Sequence, residues 1–103
     1  MSTVRIPAVN GPHGVSVPSG ANMTINYVES VGGQALTTGS FTIKAAPPGS
    51  SVYTVIDGID PIDIASPVPQ GITGQVADKL EFTVSGVSAA PGQEIVINVT
   101  PWS

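Results

Sequence analysis

Leu80-Glu81-Phe82-Thr83-Val84 and Glu94-Ile95-Val96-Ile97-Asn98-Val99 decide the fold. Apolar and polar residues alternate in both. Successive side chains of a strand point to opposite faces, so this period buries one face of a sheet and wets the other. Met23-Thr24-Ile25-Asn26-Tyr27 and Phe41-Thr42-Ile43-Lys44 repeat the pattern, and glycine or proline fences every run. No stretch offers a helical period, so the sequence predicts an all-β sandwich or barrel.

The totals agree with a single small domain. A chain of 103 residues buries roughly 60–65% of its unfolded surface, enough to fold without metal or disulfide. The 12 glycines and 10 prolines are scattered between the alternating runs, where they punctuate turns. Charged residues make up only 10% of the chain, against about a quarter in ordinary soluble domains. Such a surface is easily buried against another protein, because few ions must be desolvated. The same composition also suits a monomer whose outer sheet faces are wetted by hydroxyls.

The charge balance excludes several partners. Net charge is −4, and Arg5, Lys44 and Lys79 are the only bases. Nucleic acid requires clustered cations to replace phosphate counterions, so no nucleic-acid partner is expected. An anionic membrane surface is excluded on the same ground. No apolar run approaches the length of a membrane span. The opening Met1-Ser2-Thr3-Val4-Arg5 lacks the pattern of a signal peptide, and cysteine is absent. Both features lead us to expect synthesis in a reducing cytoplasm.

Along the chain, Thr3 to Val9 reads as a first edge strand or a docking arm, since Pro7 cannot donate to a ladder. Asn10-Gly11-Pro12-His13-Gly14 reads as a turn. Val52 to Ile56 is a further strand, stopped by the turn dipeptide Asp57-Gly58. From Gly58 to Gly74 the pattern loosens among Pro61, Pro67 and Pro69, as expected of an edge strand followed by a crossover between sheets. One internal echo stands out: Gly14-Val15-Ser16, Gly20 and Ile25-Asn26 recur without a gap as Gly86-Val87-Ser88, Gly92 and Ile97-Asn98. We read it as one strand-turn-strand solution used twice.

Catalytic chemistry has little to stand on. Catalysis needs a base within reach of a nucleophile, and the only histidine, His13, lies in the expected turn with no acid near it in sequence. Nucleophile elbow, phosphate loop and dinucleotide fingerprint are all missing. The chain is therefore expected to be no enzyme and to carry no cofactor. Asp57, Asp60 and Asp63 place three carboxylates in one short stretch that a hard cation such as calcium would favour, although calcium needs more oxygen ligands than these. Aspartates so placed also cap turns and keep an apolar edge from aggregating.

Asn22-Met23-Thr24 and Asn98-Val99-Thr100 match the glycosylation acceptor, but without a secretion signal both asparagines are expected simply on wet strand faces. Sugar recognition by a β domain uses aromatic platforms beside polar groups, and only Tyr27, Tyr53 and Trp102 are available; Tyr27 falls in the buried register of its strand. Trp102, near the C-terminus, either folds back over the sandwich or anchors a neighbouring subunit. With Trp102, the segment containing Val4, Ile6 and Val9 and the isoleucine-rich stretch containing Ile59 and Ile62 are the candidate interface residues.

Leu80–Val84, Gly86-Val87-Ser88 and the run from Pro91 to Pro101 resemble the closing strands of immunoglobulin-like domains of bacterial surface proteins and tailed-phage virions. The resemblance implies a Greek-key, immunoglobulin-like β-sandwich of about seven strands. With its length and quiet chemistry, the chain is similar in character to bacteriophage capsid decoration proteins. That likeness implies a virion structural protein, made in the host cytoplasm, which docks on the major capsid protein or another virion protein, often as a trimer. The runner-up is a carbohydrate-binding or adhesion module of a bacterial surface protein.

Overall fold

Alternation along residues 77–85 is realised as a strand in which Ala77, Leu80, Phe82 and Val84 point inward. The computed structural model describes residues 2–20, 22–56, 58–74 and 76–102. Among them are nine strands and no helix: β1 (Ser2–Pro7), β2 (Gly11–Gly20), β3 (Met23–Val31), β4 (Ser40–Ala46), β5 (Thr54–Val55), β6 (Ile62–Asp63), β7 (Gln70–Ile72), β8 (Ala77–Ser85) and β9 (Glu94–Pro101). They form two antiparallel sheets. One has the order β1-β9-β3-β7; the other has β2-β8-β4-β5, with β6 also paired to β4.

Between the sheets, Ile6, Met23, Ile25, Ile72, Ile95, Ile97 and Val99 face Phe41, Ile43, Ile62, Leu80, Phe82 and Val84. Phe41 and Phe82 meet edge to face at 5.6 Å and 88°, the arrangement that ring quadrupoles favour. Tyr27 closes one side, its ring centroid 6.5 Å from that of Phe41.

The pairing β1·β9, β2·β8, β3·β7 and β4·β6 describes an antiparallel ribbon folded in half near β5. Wrapping that ribbon brings β9 against β3 and β8 against β4. This is the strand order of a jelly roll. The expected immunoglobulin-like order is not observed. There the first two strands share a sheet and the last two pair with each other; here β1 and β2, and again β8 and β9, belong to opposite sheets.

Two local expectations change as well. Residues 11–14 belong to the ten-residue strand β2, not to a turn. β2 is an edge strand, bonded only to β8, so Pro12 and Pro18 can face solvent where no donor is needed. His13 is consequently half-buried on a strand, and its Nε2–H donates to the Val9 carbonyl at 2.6 Å. β5 and β6 are two fragments of one interrupted edge. Lys44 and Ala45 pair with β5, Ser40 and Phe41 pair with β6, and among the described residues Thr42 and Ile43 have no partner strand on that side. The chain then crosses from β6 in one sheet to β7 in the other.

Gly39 initiates β4 with φ +110, and a Cβ there would overlap the Val87 side chain and lie 3.1 Å from the Ser85 carbonyl oxygen. Gly49 has φ +84 with open space around it. Gly49→Ala is expected to cost about 1 kcal/mol of stability, the strain of the backbone alone. Gly39→Ala adds a packing conflict and is expected to cost about 2–4 kcal/mol. Urea unfolding of both variants checks this; equal losses would contradict the close approach at Gly39.

Candidate functional site

The two outer faces differ in chemistry. On the β2-β8-β4-β5 sheet, Lys44 stands opposite Glu81, and the Lys79 ammonium lies 3.1 Å from an Asp78 carboxylate oxygen. Tyr53 reaches across toward β2, where a Cβ at Gly14 would come within 2.8 Å of the phenol oxygen. That face is charged and partly covered. On the β1-β9-β3-β7 sheet the charges gather at one end, where Arg5 and Glu94 are 3.8 Å apart and Glu29 pairs with Val96. Among the described residues its other end carries none.

That uncharged end is built by parity. Ile95, Ile97 and Val99 point into the core, so Asn98, Thr100 and Trp102 share the outer face. On β3, Met23 and Ile25 point inward, leaving Thr24 and Asn26 outside. The register sets Asn26 opposite Asn98 and Thr24 opposite Thr100. The Trp102 amide donates to the Asn22 carbonyl at 3.1 Å, extending the ladder one step beyond β9. The indole Nε1–H donates to the Thr24 hydroxyl at 3.0 Å, while the ring stays 47% exposed. Trp102 is therefore folded back and tied down, yet half its surface faces solvent. Thr3 on β1 completes the row, its hydroxyl donating to the Asn98 side-chain amide oxygen at 2.9 Å.

A second region lies at the interrupted edge. Thr42, Ile43, Lys44, Val55, Ile56, Ile59, Asp60 and Pro61 line a mainly apolar pocket of about 230 Å³. Val55 at its rim is 74% exposed and Val52, just before it, 67%. A third region, between residues 34–38 and 88–93, is polar and organised by Gln93. The Gln93 amide is buried; its oxygen accepts from the Ala90 amide at 3.0 Å and its nitrogen donates to the Gln34 carbonyl at 2.6 Å. Both ends of the amide are used to clamp two loops. Its position between Pro91-Gly92 and a strand was the available cue, and the alternation pattern alone does not register it.

The sequence-derived candidates separate accordingly. Ile6 and Ile62 lie in the core, 1% and 0% exposed, and have no area left for a partner. Alternation puts them on the inner faces of β1 and β6. Val4 and Ile59 pack against the core with part of their surface outside. Val9 and Trp102 remain substantially exposed. Of the three aspartates, Asp57 lies outside the described residues. Asp63 accepts from the Ala65 amide at 3.0 Å, closing a local turn, and Asp60 is exposed beside the apolar pocket. No cluster of three His, Cys, Asp or Glu side chains suited to a metal occurs among the described residues.

No protein-family model matches the chain, and no curated protein or solved structure is significantly similar to it.

Thr24→Val removes the acceptor for the Trp102 indole while keeping a β-branched side chain on a strand. It is expected to red-shift the emission of this single tryptophan and raise its quenching by acrylamide, with a stability loss of about 1 kcal/mol. Unchanged emission and quenching would contradict the tether.

Proposed function

We propose that the chain is a non-enzymatic structural protein of a bacteriophage virion, a capsid decoration subunit that binds the outer surface of the capsid through protein–protein contact. The observation that carries this reading is the interrupted edge: Val52 and Val55, among the most exposed large apolar side chains described, stand beside an apolar pocket in a chain with few charges. Exposed apolar patches on small domains mark interaction sites. The gap at Thr42 and Ile43 adds unpaired strand edge, which an extended segment of another protein can extend. The jelly-roll strand order supports the reading at the level of architecture, since virion proteins use that fold, although fold alone does not assign a role.

On this reading the edge carrying β5 and β6 faces the major capsid protein, and self-association into a trimer places several such edges on one capsomer. The core isoleucines Ile6 and Ile62 support the sandwich and do not touch the capsid. Val9 and Val68, also exposed, flank the contact or remain free.

Mass spectrometry of particles from the phage encoding the chain tests the proposal. The chain is expected in a fixed ratio to the major capsid protein. The double variant Val52→Asp/Val55→Asp is expected to fall at least tenfold in particle occupancy, with its melting temperature within a few degrees of the parent, because both side chains are already solvated. Absence of the chain from particles, or undiminished occupancy of the variant, would overturn the reading.

A further inference from the structure

Two sequence features, the Asn-x-Thr pairs and the internal echo, converge on one place in the structure. A spacing of two puts both side chains of Asn98-x-Thr100 on one face of β9, whereas Asn22 lies just before β3, where its side-chain oxygen accepts from the Gly74 amide at 3.0 Å and Thr24 alone of that pair stands on the strand. The echo aligns Ile25-Asn26 with Ile97-Asn98, and the sheet sets these asparagines directly opposite each other. The outer surface therefore reads Thr24-Asn26 along β3 against Thr100-Asn98 running the other way along β9, with Trp102 one step beyond the end of β9.

Sheet stability does not require this composition. Asparagine is disfavoured in strands, and two of them directly opposite each other in neighbouring inner strands add little packing. A broken local preference without a structural return is the mark of a functional surface. Among the described residues, Asn26 and Thr100 make no side-chain hydrogen bond, and Asn98 uses only its side-chain amide oxygen, toward Thr3. Their remaining donors and acceptors face solvent beside a half-exposed indole. Gly71, opposite Thr24 on β7, adds no side chain, and a Cβ there would meet open space.

We infer that the outer face around Trp102, Thr100, Asn98, Thr24 and Asn26 is a binding platform for a neutral oligosaccharide. A pyranose ring offers a C–H face that stacks on an indole and an edge of hydroxyls that both donate and accept. A carboxamide answers with a donor and an acceptor in one head, and a hydroxyl does the same. Among the described residues this end of the face carries no charge, which suits an uncharged sugar. From Trp102 to Asn98 the platform spans about 13–14 Å at the usual strand rise, about the length of a di- or trisaccharide lying along β9. Pinning of the indole by Thr24 removes much of its rotational freedom before the sugar arrives.

The platform lies on the β1-β9-β3-β7 sheet and the apolar edge on the other, so the two proposals stand or fall separately. Trp102 is the only tryptophan, which makes its fluorescence a reporter of this site alone. Titration of the isolated protein with cellotriose, maltotriose and tri-N-acetylchitotriose is expected to give a saturable emission change with at least one. For that sugar, Asn26→Ala is expected to weaken binding about tenfold without lowering the melting temperature, and Asn98→Ala to weaken it about tenfold with the few-degree loss that giving up the Thr3 hydrogen bond entails. Trp102→Ala is expected to abolish the heat of binding in calorimetry. Val52→Asp/Val55→Asp is expected to titrate as the parent does. No saturable response to any of the three sugars, or parental affinity in the Asn26→Ala/Asn98→Ala double variant, would overturn the inference.

Discussion

Burial of one face of β8 and one face of β9 in a shared core is the constraint from which the rest of the structure follows. These strands are consecutive in the chain and both alternate over most of their length, yet they do not form a hairpin. Each becomes the inner strand of its own sheet, with Leu80, Phe82 and Val84 turned toward the interior from one side and Ile95, Ile97 and Val99 from the other. With those residues inward, the outward side chains are fixed by parity. Asn98, Thr100 and Trp102 have no choice of face once Ile97 and Val99 are buried.

The consequence is a molecule with unlike surfaces. Charges sit in local pairs, Arg5 by Glu94 and Lys79 by Asp78, and Lys44 lies across from Glu81. Exposed ion pairs of this kind contribute little stability. They do keep these charges away from the amide-and-hydroxyl surface beside Trp102, whereas Lys44 and Asp60 stand at the rim of the apolar gap beside Val55. Binding at the Trp102 surface therefore strips water from few ions, which lowers the desolvation cost of contact. A chain so short reaches this division of labour because its two sheets have independent outer faces and edges.

How much was legible in the sequence depends on what each residue encodes. Alternation encodes a face, so β3, β4, β8 and β9 and most of the core could be read directly, and the burial of Ile25, Phe41, Phe82 and Ile97 follows. Alternation does not encode a partner strand, and for that reason the sheet order was open; immunoglobulin-like and jelly-roll orders can share the same strand patterns. β2 was hidden because Asn10 to Gly14, with Pro12 among them, read as a turn, and only an edge position bonded on one side tolerates a proline there. Ile6 and Ile62 looked available because proline lay beside them, although the parity of their short strands turns both inward. The platform was half legible. Asn22, Thr24, Asn98 and Thr100 could be placed on wet faces, but their meeting depends on β3 pairing with β9, a contact between distant parts of the chain.

The placement of β9 between β1 and β3 carries the central claim, because it alone brings the two asparagine-bearing rows together. Interstrand nuclear Overhauser contacts between backbone protons test it most directly. The account predicts cross-peaks linking the pairs Asn26–Asn98 and Thr3–Asn98, and none between the backbones of β8 and β9. A ladder of backbone cross-peaks joining Leu80–Val84 to Ile95–Val99 would make the last two strands a hairpin and contradict the account.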